Sequence, residues 1–115
     1  MADQRQVFVS GLDTAIDVMG GKWKVLILWS LGESTKRFGE LKRAVDGVSE
    51  KMLIQHLREL ERDEIVHREV HHVVPPKVEY SLTPFGESLV TALGPLGAWG
   101  CEHRERVAQI RCQTG

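Results

Sequence analysis

At 115 residues, with 42% apolar and 27% charged side chains, the chain has the size and composition of one ordinary globular domain. A net charge of −1 excludes a generic nucleic-acid coat, and with no uncharged apolar run of about 18 residues a helical membrane span is excluded too. Two cysteines, Cys101 and Cys112, are too few for a disulfide scaffold and match no zinc spacing. The opening residues lack the layout of a signal peptide, so a cytoplasmic protein with reduced thiols is expected.

In chain order, Leu12 to Met19 read as a short amphipathic helix ended by Gly20-Gly21, a pair suited to a left-handed exit. Trp23 to Leu31 is apolar nearly all round, which marks a buried central helix closed by Gly32. Arg37 to Val45 forms a third helix with Phe38, Leu41 and Val45 on one side, and Asp46-Gly47 makes the turn. Ser49 is placed to cap a fourth helix that runs to about Asp63. Two helices joined by so tight a turn form a helix-turn-helix.

After Ile65 the period changes from 3.6 to 2. Val66 to His71 and Val78 to Leu82 alternate around Val73-Val74-Pro75-Pro76, which predicts a two-stranded hairpin with a stiff tip. Thr83-Pro84 reads as an N-cap with proline at the first helical position, opening a last helix that extends toward Ile110 and that Gly94-Pro95 should bend or break. The fold class is therefore mostly α, a winged helix-turn-helix with a β-hairpin wing and a long C-terminal helix. In that arrangement the second helix of the pair enters the major groove and the wing lies along the backbone.

With Leu53 set at zero on a helical wheel, Leu57 and Leu60 fall within about 40°, defining a buried stripe. Lys51, Gln55, Arg58 and Arg62 fall opposite, with Glu50, Glu59 and Glu61 on the flanks. Gln pairs with adenine, and Lys or Arg with guanine or phosphate, so this face suits groove reading. Charge distribution agrees. Residues 36 to 77 hold nine Lys/Arg against eight Asp/Glu, whereas each flanking segment holds three against four.

Five blocks along the chain are together similar to the consecutive signatures of the HxlR family of bacterial regulators. They are Gly21-Lys22-Trp23-Lys24, Arg37-Phe38-Gly39-Glu40-Leu41, Ser49-Glu50-Lys51-Met52-Leu53, Leu57-Arg58-Glu59-Leu60 and Pro75-Pro76-Lys77-Val78-Glu79-Tyr80-Ser81-Leu82-Thr83. The resemblance implies a MarR-like fold, a homodimer through the terminal helices and a pseudo-palindromic double-stranded DNA operator. The domain is then a single unit over 1–115, its DNA-binding core at about 20–83 and its dimerisation segments at about 7–19 and 84–112. Where many members carry a Cys-Pro pair before the first helix, this chain has Ser10-Gly11, so sensing through that thiol is not expected. Glu64 stands where a glycine is usual, a change that concerns turn geometry.

The expected DNA contacts are Arg37, entering the third helix as a phosphate clamp, then Ser49, Glu50, Lys51, Met52, Gln55, His56, Arg58 and Arg62, with His72 and Lys77 on the wing. The expected dimer seam is Leu89, Leu93, Leu96, Trp99, Val107 and Ile110. No metal site is expected. His67 and His71 share a strand face about 13 Å apart, and Cys101 and His103 point about 200° apart on a helix. No cofactor, phosphate loop or nucleophile pair stands out, so no enzyme is expected. Any redox response would run through Cys101 and Cys112 across two chains, against the simpler reading of two inert side chains. The identity of an effector, small molecule or oxidant, stays open, and the alternative to DNA binding is a winged helix that binds only protein.

Overall fold

The structure, a computed structural model, describes residues 4–114, so the opening Met1 to Asp3 on which part of the signal-peptide argument rests lie outside the described residues. Five helices and three strands follow in the order α1 (Gln4–Met19), α2 (Lys22–Glu33), β1 (Lys36–Arg37), α3 (Phe38–Ala44), α4 (Glu50–Arg62), β2 (Val66–His71), β3 (Lys77–Leu82) and α5 (Pro84–Thr114).

The first helix starts earlier than its apolar stripe suggests, so Ser10 and Gly11 lie inside α1, where the Ser10 carbonyl accepts from Thr14 Oγ1 at 3.1 Å. It ends as expected. Gly20 has φ 65°, its N–H donates to the Ile16 carbonyl at 2.9 Å, and a Cβ there would lie 2.5 Å from Lys24 Cδ. α2 runs past Gly32 to Glu33 and is not buried all round: Ile27, Leu28 and Leu31 point into the core, while Trp29 is 49% exposed and Leu26 is exposed beside it. An all-apolar helix therefore has an outer face that this chain does not cover.

Ser49 caps α4 as expected, its Oγ accepting from Met52 N at 3.1 Å, and Leu53, Leu57 and Leu60 are fully buried against Ile27, Leu28, Leu41 and Ile65. The wing is a three-stranded sheet of order β1-β3-β2, not a lone hairpin. β2 and β3 pair antiparallel as the expected hairpin, in a register that runs from Val66 with Leu82 to His71 with Lys77, and the two-residue β1 adds Lys36 opposite Tyr80. So short a strand has no period of its own to read.

The end of the wing is clamped to α5. Thr83 Oγ1 donates to the Glu64 carbonyl at 2.6 Å and accepts from Gly86 N at 2.9 Å, and a Cβ on Gly86 would lie 2.1 Å from the Ile65 carbonyl oxygen. Glu64 occupies the left-handed region at φ 60°, the conformation a glycine would take without strain. α5 then continues as one helix through Gly94-Pro95, so of the bend or break expected there the break does not occur. The carbonyl that Pro95 leaves without a donor belongs to exposed Thr91, where water can serve it, and Leu93 holds the helix to the core beside it.

The buried core lies in α2–α4, the sheet and the first turns of α5, with Val18 and Met19 at the end of α1 half-buried against it. The Cα radius of gyration is 16.9 Å, against roughly 13 Å for a compact chain of this length, because the terminal helices extend beyond that core. No helix of the described residues is long and apolar enough to cross a membrane.

Candidate nucleic-acid interface

α4 carries the candidate reading face. Its buried stripe fixes its rotation about its own axis, so Lys51, Gln55, Arg58 and Arg62 are all exposed on the opposite side. The Asp63 carboxylate lies 3.2 Å from Arg62 Nε and drives its guanidinium still further toward the charged form. Glu50 and the exposed Ile54 lie beside Arg58, at the mouth of a cleft between α4 and the wing that Phe38, Arg68, Val78 and Tyr80 complete.

One expected contact, His56, is corrected by this geometry, and two others, Met52 and Ser49, also serve the fold. His56 is only 9% exposed and faces inward; its wheel position, about 60° from Leu53, already places it at the edge of the apolar stripe. Met52 is half-buried and packs on the core. Ser49 is exposed, and its hydroxyl accepts from the Met52 N–H as the expected cap while keeping its own O–H to donate.

Arg37 is exposed at the start of α3, with its backbone N–H donating to Glu40 Oε1 at 2.9 Å. The helix start thus offers DNA the guanidinium and not that N–H. On the wing, Lys77 Nζ lies 3.8 Å from Glu79 Oε1, to which His71 Nε2 is also joined at 2.6 Å. Lys77 is therefore a partly neutralised cation, and His72 is exposed at the turn. Arg68 is exposed on β2 and lines the same cleft as Arg58, which makes it the cation that sequence reading missed. Its signal was present: a charged residue stands between Val66 and Val70, on the strand face that alternation assigns to apolar side chains.

Behind the face lies a second feature absent from the expectations. Lys24 on α2 is buried, and its Nζ meets Glu59 Oε2 on α4 at 2.5 Å. The other carboxylate oxygen, Oε1, accepts from Gln55 Nε2 at 3.1 Å. These two donors, Lys24 first, hold the Glu59 carboxyl below its ordinary value, against the opposing effect of burial.

The expected dimer seam divides. Leu93 is only 6% exposed and belongs to this chain's own core, and Leu89 is half-buried against it, because the first turns of α5 dock on α2. Leu96, Trp99 and Ile110 remain exposed and Val107 half-buried, with Trp99 stacked on His103 at 4.7 Å. Val9, Leu12 and Ile16 form a matching exposed stripe on α1.

Cys101 and Cys112 are free and exposed, and the unbroken α5 keeps about 16 Å of helix between them, which excludes a bridge within one chain. Among the described residues, no three His, Cys, Asp or Glu side chains cluster to hold a metal.

Known proteins share this arrangement. The family model described as HxlR-like helix-turn-helix matches residues 18–108. The chain is 44% identical over 104 residues to the HTH-type transcriptional regulator YtcD of Bacillus subtilis, covering 90% of this chain and 82% of that one. Among solved structures it is similar to the redox regulator HypR in its reduced form, with a TM-score of 0.81, 43% identity and coverage of 86% and 98%. It is also similar to a MarR-family transcriptional regulator from Enterococcus faecalis, with a TM-score of 0.77, 39% identity and coverage of 95% and 96%.

Proposed function

The chain belongs to the HxlR-like helix-turn-helix family of transcriptional regulators, a non-catalytic, DNA-binding class, and we propose that it reads a pseudo-palindromic operator with α4 as a homodimer. The observation that carries this reading is the exposed Lys51, Gln55, Arg58 and Arg62 face, held outward by a fully buried Leu53, Leu57 and Leu60 stripe. α4 enters the major groove, where Gln55 and Arg58 meet base edges, Glu50 can accept from cytosine, and Lys51 and Arg62 meet phosphate. Arg37 at the start of α3, Arg68 in the cleft, and His72 and Lys77 on the wing hold the flanking backbone.

A homodimer brings two such helices to two half-sites about 34–36 Å apart, one helical turn of DNA. The seam is formed by Leu96, Trp99, Val107 and Ile110 of α5 with the apolar stripe of α1, so the DNA-binding core at about 20–83 and the terminal dimerisation segments remain one domain in two roles. A regulator that reads double-stranded DNA works in the cytoplasm, the location this reading assigns to the protein.

Selection of bound fragments from genomic DNA, followed by a salt titration on the best site, tests the reading. A specific site whose affinity falls steeply with salt is expected, because each neutralised phosphate releases counterions. Salt-insensitive binding, or no enriched sequence, would point to a winged helix that binds only protein. Within that assay Arg37→Ala should weaken binding while leaving the melting temperature nearly unchanged.

A further inference from the structure

We propose that Lys24 and Glu59 decide which end of the Gln55 side-chain amide faces the DNA, and so act as positioning residues for base choice. The inference rests on α4 being the groove-reading helix. It starts from a difference in hydrogen-bonding capacity: an ammonium group only donates, an ionised carboxylate only accepts, and a carboxamide has one end of each kind.

Lys24 is buried against α4, and the turn at Gly20 leaves no room for even a Cβ beside its stem. Its Nζ therefore meets Glu59 from a fixed direction and takes Oε2. Oε1 is left to accept from Gln55 Nε2, one turn back on the same helix. Flipping the Gln55 amide would set its Oε1 against a carboxylate oxygen, two acceptors with no proton between them. Two donors at Glu59 favour its ionised form, which keeps the carboxylate an acceptor only.

With one amide hydrogen given to Glu59, Gln55 presents its remaining N–H and its carbonyl side by side. That donor and acceptor pair complements N7 and the exocyclic amine of adenine, whereas guanine offers two acceptors there. A free Gln can turn either end outward. Lys24 and Glu59 remove that choice from inside the protein, although Lys24 is buried and Glu59 lies on the flank of the reading face.

The chain of polarity can be inverted. In Glu59→Gln, Lys24 still requires an oxygen, so the new amide turns its NH2 toward Gln55, and Gln55 must answer with its carbonyl. Its own NH2 then faces the groove with two donors, the pattern that matches guanine.

The measurement is a ratio of dissociation constants for two duplexes that differ only at the base pair whose preference Gln55→Ala abolishes, adenine in one and guanine in the other. A purely structural loss lowers affinity for both duplexes alike and leaves the ratio unmoved. The wild type should favour adenine by about five- to 150-fold, the range of one good bidentate pair. Glu59→Gln should cut that ratio at least tenfold or reverse it.

If Glu59→Gln does not fold at the assay temperature, Lys24→Met with Glu59→Leu replaces the ion pair by apolar groups, an exchange that buried pairs often tolerate. That variant frees the Gln55 amide and should lower the ratio severalfold toward one. A ratio unchanged from wild type in a folded variant would overturn the proposal. If Gln55→Ala itself alters no base preference anywhere in the site, the groove-reading assignment fails first, and the positioning proposal falls with it.

Discussion

The middle of the chain and its two ends use apolar residues in opposite ways. From Trp23 to Leu93 nearly every large aliphatic side chain of α2–α4 finds a partner in the same chain, with Leu28, Leu41, Leu53 and Leu60 fully enclosed. In α1 and the second half of α5 the pattern is reversed: Ile16 is 60% exposed, Leu96 60% and Trp99 56%. Scattered exposed apolar residues need no explanation, but stripes on two extended helices mark a surface meant to be covered. On the proposed reading the core presents α4, with Leu26 and Trp29 of α2 left uncovered, and the ends carry a seam that a second copy would complete. Position along the chain would then separate recognition from assembly.

The largest expected effect would break the self-sufficiency of the middle. Leu57→Ala should cost about 2–5 kcal/mol in urea unfolding, because it empties a fully buried site in the core. A loss below about 1 kcal/mol would mean that the core is looser than its burial indicates. At the ends, Trp99→Asp should leave the circular dichroism of the fold in place while converting the dimer to a monomer in light scattering and weakening operator binding. A dimer of undiminished affinity would move the seam elsewhere.

A smaller effect belongs to the boundary of the reading helix. Ser49→Ala should cost about 1 kcal/mol by unfolding, since the Met52 N–H loses its acceptor. The smallest is acid dependence at the junction of α2 and α4. The Glu59 carboxyl is held below its ordinary value by Lys24 and then Gln55, so the unfolded chain binds its proton first as pH falls. The stabilisation is complete above the ordinary glutamate value, about 4.3, and is lost as pH drops through the lower folded one. Unfolding midpoints of wild type and Glu59→Gln should therefore differ most above about pH 5 and draw together as pH falls through the lowered folded value.

These two regions were not equally legible in the sequence. The cap at Ser49, the antiparallel pairing of Val66 to His71 with Lys77 to Leu82, and the Thr83-Pro84 start follow from local rules of hydrogen bonding and period, and all three stand. What escaped depends on partners distant in sequence. β1 exists because β3 offers it an edge, and Lys24 pairs with a residue 35 positions away. Leu93 and Leu96 are one turn apart in the same stripe, and only the docking of α5 on α2 assigns one to the core and leaves the other outside. His56 was legible and misjudged, since its angle placed it nearer the buried stripe than the groove.

The division between a reading core and assembling ends comes down to whether α4 chooses the sequence. Binding of a selected operator and of its single-base variants, measured for wild type, Gln55→Ala and Lys77→Ala across a salt series, tests this directly. Gln55→Ala should cost about 1–3 kcal/mol on the operator and flatten the preference at one base pair in each half-site, while Lys77→Ala weakens all duplexes alike and lowers the salt slope by about one. If Gln55→Ala keeps both the affinity and the base preference of the wild type, α4 does not lie in the groove as assigned, and the face built from Lys51 to Arg62 is only a solvated surface.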